Sequence, residues 1–516
     1  MGFQSILFGH NVPELCKESP GFFQDLQLDY LVERILEAFK EYRTEWYYYT
    51  LPKSKELIYY RQQVSKDIES EELCLTLQHF CRRLKKSRSV FNLSLKSGGV
   101  QAASYHLQAA TLYWEALLLV EAELDKCSLT SEGMQDFAGY IMQKKKELQE
   151  NGFVDALQRA NDFFEKLTFR LSVGKDKLMI TEYVAEEKAG SEKEEAKNYL
   201  AELKKLLEQE TDERECFIRD IFPDPLEASY LENVLIDLLK KSKPEIFKEI
   251  GAFHMNFPKF YDEILLQFEE EVQFYLSFRQ FKKRTEQKGY SLCVPSLSKQ
   301  QEFDGKGVYD LALVWKQEDS GYQVVSNDFS MKDRPCFFVV TGPNQGGKTT
   351  FARSMGQAVY FTLMGLCANA DFFITPMFHG ISTHFEAEEK LQSNSGKLKE
   401  EINRLLPMMA RIQNRKHFVI LNELFTTATT HDAMIMGRKV MESFLERECY
   451  GIYVTHIQEL AEETEEIISL VAQLEPGEEH KRTYRMLPMK AQGYGYSDAL
   501  VKKFQLEYAD IVRRLS

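Results

Sequence analysis

From about residue 25 to residue 290, apolar residues return at helical spacing, as in "SYHLQAATLYWEALLLVEAEL" (104–124) and "YLENVLIDLLKKSKPEIFKEI" (230–250), and glycine is sparse. This texture predicts a long all-helical region. One stretch departs from it: "LTFRLSVGKDKLMITEYVA" (167–185) carries two β-favouring runs around Gly174-Lys-Asp and predicts a hairpin set between helices. The next stretch, "EEKAGSEKEEAKNYLAELKKLLEQETDERE" (186–215), mixes both signs of charge with i,i+4 Glu/Lys pairs, the mark of a solvated helix. From about residue 291 the pattern changes again, with "YDLALVW", "YQVVSND", "CFFVVTG", "HFVILNE", "GIYVTH" and "RTYRML" as strand candidates alternating with helices. The expected architecture is a helical domain over 1–290 followed by an α/β domain over 291–516.

At 516 residues and 44% hydrophobic content, the chain has ample material for packed cores. Its formal net charge of −14 argues against a uniformly basic coat, though a local basic patch binds phosphates even on an acidic protein. The nine cysteines include no C-x-x-C pair, which reads as reduced thiols rather than disulfides or zinc ligands. No apolar run reaches the length of about 18 residues that a membrane span requires. The N-terminus, "MGFQSILFGHNVPELCKES", lacks the basic start and long apolar run of a secretory signal. A cytoplasmic protein is expected.

Chemistry concentrates in "FFVVTGPNQGGKTTFARSMG" (337–356). Phe337 to Val340 reads as a strand and Phe351 to Leu363 as a helix, so Gly342, Pro343, Asn344, Gln345, Gly346, Gly347, Lys348, Thr349 and Thr350 occupy the strand-to-helix turn of a phosphate loop. Backbone N–H groups from Asn344 to Thr349 are expected to converge on phosphates at the helix N-terminus, with Lys348 neutralising charge and the Thr349 hydroxyl ligating Mg²⁺. A second strand, in "KHFVILNELFTTATTHDA" (416–433), ends at Asn422 and Glu423. These two suit an acceptor for Mg²⁺-bound water and a general base. The strand in "GIYVTHIQEL" ends at His456, placed to hydrogen-bond a γ-phosphate or the attacking water.

In their order, "TGPNQGGKTT", "VILNE", "TTHDA" and "YVTHIQEL" resemble the ATPase domain of the MutS family of DNA-repair proteins, over roughly residues 320–505. Upstream, "LPKSKELIYYRQQVSKDIES" (51–70) is similar to the segment that opens the family's helical core, and the 167–185 hairpin stands in the place of its clamp between lever helices. The resemblance implies a P-loop ATPase of the ABC class, with ATP and Mg²⁺ bound at two sites formed across a homodimer. It makes Asn344, Gly347, Lys348 and Thr349 nucleotide and metal contacts, Glu423 the activator of water and His456 the γ-phosphate sensor. "LQSNSGKLKEEI" (391–402) stands where the family has its signature loop, so Ser393, Ser395 and Gly396 would reach the partner subunit's nucleotide. The run Thr429-Thr430-His431-Asp432 resembles the loop packing across the dimer beside that signature, which makes Asp432 an interface residue; an ordinary polar turn would look the same.

Three departures qualify what the resemblance implies. Asn422 replaces the family's usual aspartate, putting a neutral amide oxygen where a carboxylate would serve Mg²⁺-bound water. Val324 occupies the place of an aromatic that stacks on the base. The chain begins almost at the helical core and shows no counterpart of the Phe-x-Glu mismatch wedge, since "KFYDEIL" (259–265) reads as a core contact in a helical stretch. The expected function is therefore an ATP-dependent dimeric clamp on DNA, gripping backbone and shape without mismatch recognition. The alternative is a nucleotide-switched protein that closes on a protein or RNA partner and hydrolyses slowly. A transporter ATPase is disfavoured by the absence of L-S-G-G-Q, and a coiled-coil ATPase of the SMC class by the lack of sustained heptads.

Overall fold

Helix starts are written into the sequence by short polar side chains. Ser54, Ser70 and Ser131 each accept an N–H from the third residue onward, and Asp262 accepts from both Ile264 and Leu265. The computed structural model describes residues 2–42, 44–165, 167–173, 180–187, 244–317, 323–331, 334–385, 396–412, 416–475 and 478–491. Its first part is helical: α1 (Phe22–Leu26), α2 (Leu28–Ile35), α3 (Glu45–Tyr49), α4 (Lys55–Ile68), α5 (Glu71–Lys96), α6 (Gly99–Leu124), α7 (Glu132–Glu150) and α8 (Phe153–Glu165). Strands β1 (Leu167–Val173) and β2 (Ile180–Glu187) pair antiparallel, as the sequence predicts for this hairpin, whose turn lies outside the described residues. The charged stretch at 188–215 and the start of the apolar run at 230–250 lie there too. Helices α9 (Pro244–Asn256) and α10 (Glu263–Gln287) follow among the described residues. Phe260 is buried as a core contact, but residues 259–262 precede α10 rather than lying in a helix, because Asp262 caps it.

The remainder is α/β with two mixed sheets. Four strands, β3 (Ser296–Leu297), β4 (Phe303–Val308), β5 (Asn327–Met331) and β7 (Phe372–Thr375), run in the order β3-β7-β4-β5. Six others, β6 (Phe337–Thr341), β8 (Gly380–His384), β9 (His417–Asn422), β10 (Tyr450–Val454), β11 (Ile467–Glu475) and β12 (Glu478–Pro488), run in the order β12-β11-β6-β10-β9-β8. All neighbours in this sheet are parallel except β11 and β12. Helices α11 (Leu311–Lys316), α12 (Lys348–Leu363), α13 (Lys397–Arg411) and α14 (Thr430–Leu445) accompany them.

One strand candidate is corrected by α11. "YDLALVW" forms a helix because Asp310 Oδ1 accepts the N–H of Leu313, 3.1 Å away, and caps a turn that buries Leu311, Ala312, Val314 and Trp315. "YQVVSND" becomes strand only from Asn327 onward.

The central strands are apolar on both faces because both faces are covered. Phe338, Val340, Phe418, Ile420, Ile452 and Val454 join a core that continues through α12 into the N-terminal helices as far as Phe3. Phe337, Val339, Val419, Leu421 and Tyr453 alternate with them and pack in a second cluster with Leu405, Ala433, Met441 and Phe444. Helix α12 is bound to the N-terminal helices by polar ties as well. The Tyr360 hydroxyl donates to the Tyr48 carbonyl at 2.7 Å, and the wholly buried Arg61 donates to Leu7 and Met364 carbonyls.

Candidate functional site

Parallel strands leave their C-terminal ends on one edge of a sheet, where ligands bind in open α/β folds. Here β6 leads into Gly342, β9 ends at Asn422 with Glu423 beyond it, and β10 runs on to Thr455 and His456. The ladder extends past the strands, since Thr455 N–H donates to Val340 and Glu423 N–H donates to Val454, 2.8 Å away. Residues far apart in sequence are thereby brought to one cavity of about 830 Å³, lined by Asn344 through Phe351, Glu423, His456, Asp310, Val324, Asn327 and Tyr484 among others.

The loop from Gly342 to Gly347 has no room for side chains at its critical turns. A Cβ on Gly342, whose φ is +125°, would come within 2.9 Å of Ala472 Cβ, and one on Gly347, at φ +88°, would come within 3.2 Å of Tyr484 Cδ1. Gly347 also starts α12 with no side-chain cap, leaving the helix N-terminus facing the cavity. Lys348 is buried, and its Nζ donates to the loop carbonyls of Gly342 and Pro343 at 3.1 and 3.0 Å. Burial lowers its pKa while Glu423 opposes that shift.

Two further pairs meet opposite the loop. Thr349 Oγ1 donates to Asn422 Oδ1 at 2.9 Å, and Glu423 Oε1 lies 3.1 Å from His456 Nε2. The His456 hydrogen bond, helped by the charge of Lys348, holds the Glu423 carboxyl below its ordinary pKa against the opposing effect of partial burial. A turn with glycine at 342, 346 and 347, a buried ammonium, a hydroxyl paired with an amide oxygen and an ionised carboxylate are the donor set a nucleoside triphosphate with Mg²⁺ requires, so the residues fit that ligand.

Comparison with known proteins agrees with the geometry. Residues 338–494 match MutS domain V. The chain thus carries a region similar to MutS domain V. It is 30% identical over 138 residues to the DNA mismatch repair protein MutS of Thermotoga maritima, an alignment covering 27% of this chain and 17% of that protein. It is 28% identical over 138 residues to the DNA mismatch repair protein MSH4 of Arabidopsis thaliana, with the same coverage of each chain. The DNA mismatch repair protein MSH3 of Arabidopsis thaliana is 28% identical over 125 residues, covering 24% and 12%. The aligned part thus spans less than a fifth of the length of these MutS relatives.

Of the remaining sequence candidates, Gly396 is the exposed N-cap of α13, whereas Ser393 and Ser395 lie outside the described residues. Asp432 is exposed in the first turn of α14, its carboxylate and N–H both bonded to the capping Thr429 hydroxyl. Sequence reading missed Tyr484. This half-exposed aromatic is held by β5, where Asn327 Nδ2 donates to its carbonyl and Asn327 Oδ1 accepts the Met486 N–H. Only its aromatic character in "RTYRML" could have marked it. Asp310 also lines the cavity unannounced, paired 2.6 Å from Arg353.

Proposed function

We propose that the chain is an ATPase whose nucleotide lies in the cavity at the strand ends, and that two copies close over ATP as a clamp on DNA. The observation carrying this reading is the convergence of Asn344–Thr349, with Thr349 bonded to Asn422, and of the Glu423–His456 pair on one cavity. Backbone N–H groups of the loop and Lys348 bind the phosphates, while Thr349 and Asn422 hold Mg²⁺ and its water shell. Mg²⁺, when bound, supplies neutralisation of phosphate charge. Glu423 takes the proton of the attacking water, and His456 donates toward the γ-phosphate or that water. Tyr484 lines the cavity beside Gly347 and supplies the aromatic ring that Val324 does not, to favour adenine by stacking. In this reading residues 1–290 are the lever and 167–185 the clamp, with 291–516 the ABC-class ATPase domain, and DNA is gripped by backbone and shape without mismatch reading, in repair or recombination.

A second reading is a slow nucleotide switch that closes on a protein or RNA partner, favoured by the neutral Asn422 and the net charge of −14. One experiment separates the two. Binding to linear, mismatched, branched and single-stranded DNA is measured with and without ATP at two salt concentrations. ATP-dependent, salt-sensitive binding that ignores mismatches is expected. Absence of DNA binding in every condition would favour the switch.

A further inference from the structure

The turn after β9 holds two non-glycine residues with left-handed backbone, Glu423 at φ 54° and Phe425 at φ 62°. Such conformations are strained for residues that carry a Cβ and persist only where their surroundings fix them. Glu423 is fixed through its own N–H, which donates to Val454. Phe425 is fixed from a different element: its N–H donates to Glu401 Oε1, 3.0 Å away on α13. The Phe425 ring is buried in the cluster that also contains Leu405 of α13 and Leu424. Helix α13 is itself anchored to the end of β8, where Arg404 Nη2 donates to the Phe385 carbonyl at 2.8 Å.

From this geometry we infer that Glu401 is a positioning residue, holding the Leu424–Phe425 turn so that the Glu423 carboxylate keeps its place beside His456. A carboxylate suits the task, since a charge-assisted bond to a backbone N–H is about twice as strong as a neutral one. The bond also joins the position of α13 to the position of the base. Because α13 is N-capped by Gly396, which the family resemblance assigns to the partner subunit's nucleotide, a displacement of α13 on dimer closure would be felt at Glu423. The inference rests on the reading of Glu423 as the base, and the Glu401–Phe425 bond can be tested apart from it.

The test compares Glu401→Ala, Glu401→Asp and Glu401→Gln in the full chain, by ATP turnover, nucleotide affinity and amide hydrogen exchange of residues 424–428. Glu401→Ala is expected to lower kcat by about 10- to 100-fold, the scale of a small misplacement of a reacting group, with KM for ATP little changed. Exchange at the Phe425 amide should accelerate. Glu401→Gln keeps an acceptor oxygen at the same reach and should recover most of kcat and protection. Glu401→Asp keeps the charge but loses reach, and reads the same bond if the alanine variant does not fold. Unchanged exchange and kcat in Glu401→Ala or Glu401→Asp would overturn the inference, as would a glutamine variant no better than alanine. If Glu423→Gln instead turns over ATP like the wild type, the assignment of the base has failed, while the exchange data still decide the bond.

Discussion

A half-buried carboxylate accepts a proton at neutral pH only if something keeps it ionised, and for Glu423 that is first the His456 hydrogen bond and then the Lys348 charge. The sign of the pH dependence follows. With its pKa held below the ordinary carboxylate value, Glu423 stays deprotonated throughout pH 5–8, so turnover by the proposed base should not fall toward pH 5 on its account. Removing the imidazole in His456→Ala takes away the largest lowering influence and leaves burial opposed only by the Lys348 charge, so the acid limb should move upward. The kcat profile of the variant decides it; a profile parallel to wild type would show that His456 does not govern the carboxylate. In Glu423→Gln, nucleotide binding should persist while turnover falls roughly 10²- to 10⁴-fold. At the neighbouring position, Asn422→Asp keeps the acceptor for Thr349 and adds charge beside the proposed Mg²⁺ site, so half-maximal turnover should come at lower Mg²⁺ concentration. An unchanged or right-shifted Mg²⁺ curve would remove Asn422 from the metal site. These residues were legible because each sits at the end of a recognisable strand, whereas Tyr484 and Asp310 reach the cavity only through β5 pairing and the α11 turn.

At the scale of elements, Asp310 decides whether α11 exists. It is fully buried, caps α11 through Oδ1, accepts from Gln357 at 3.0 Å and pairs with Arg353 on α12. Gln357 passes the connection on, donating to the Leu26 carbonyl at the end of α1. Asp310→Ala should therefore destabilise by about 3–5 kcal/mol, because it leaves the mostly buried guanidinium of Arg353 without its partner. Urea unfolding of wild type and variant measures this, and a change below about 1 kcal/mol, the range of an exposed ion pair, would show that the pair is not buried in solution. The same residue explains why "YDLALVW" misleads as a strand: the apolar run fits either period, and the cap chooses the helix. Strands β4, β7 and β8 escaped notice for related reasons. "FDGKGV" contains two glycines, "FFIT" is only four residues long, and "GISTH" is mostly polar, so pairing with neighbours rather than local preference makes them strands. By contrast β6, β9 and β10 are continuous apolar runs, which only burial on both faces explains.

On the scale of the whole molecule, the N-terminal helices and the α/β part share one core, so motion at the strand ends has a packed route into the helices. The position of Gly396 then bears on how many chains a site needs. Helix α13 packs on β8 at the far edge of the sheet, three strands from β6, or roughly 14 Å at the usual spacing. Gly396 does not line the cavity beside its own chain's loop. If Ser395 and Gly396 contact nucleotide, as the resemblance implies, the nucleotide is a neighbour's, and a two-fold isologous dimer supplies that arrangement twice. The exposed Thr429–Asp432 segment would lie in the same interface. A mixed dimer tests this directly. Lys348→Ala removes the loop cation and Ser395→Glu places a bulky charge in the signature segment, so each homodimer should be inactive. In a verified heterodimer of the two, both lesions fall on one composite site and the other is intact, so roughly half of wild-type turnover per dimer should return. If each site were built within one chain, every site in that heterodimer would carry a lesion and no activity would return. Full turnover by strict monomers at every concentration would exclude the composite site by a different route.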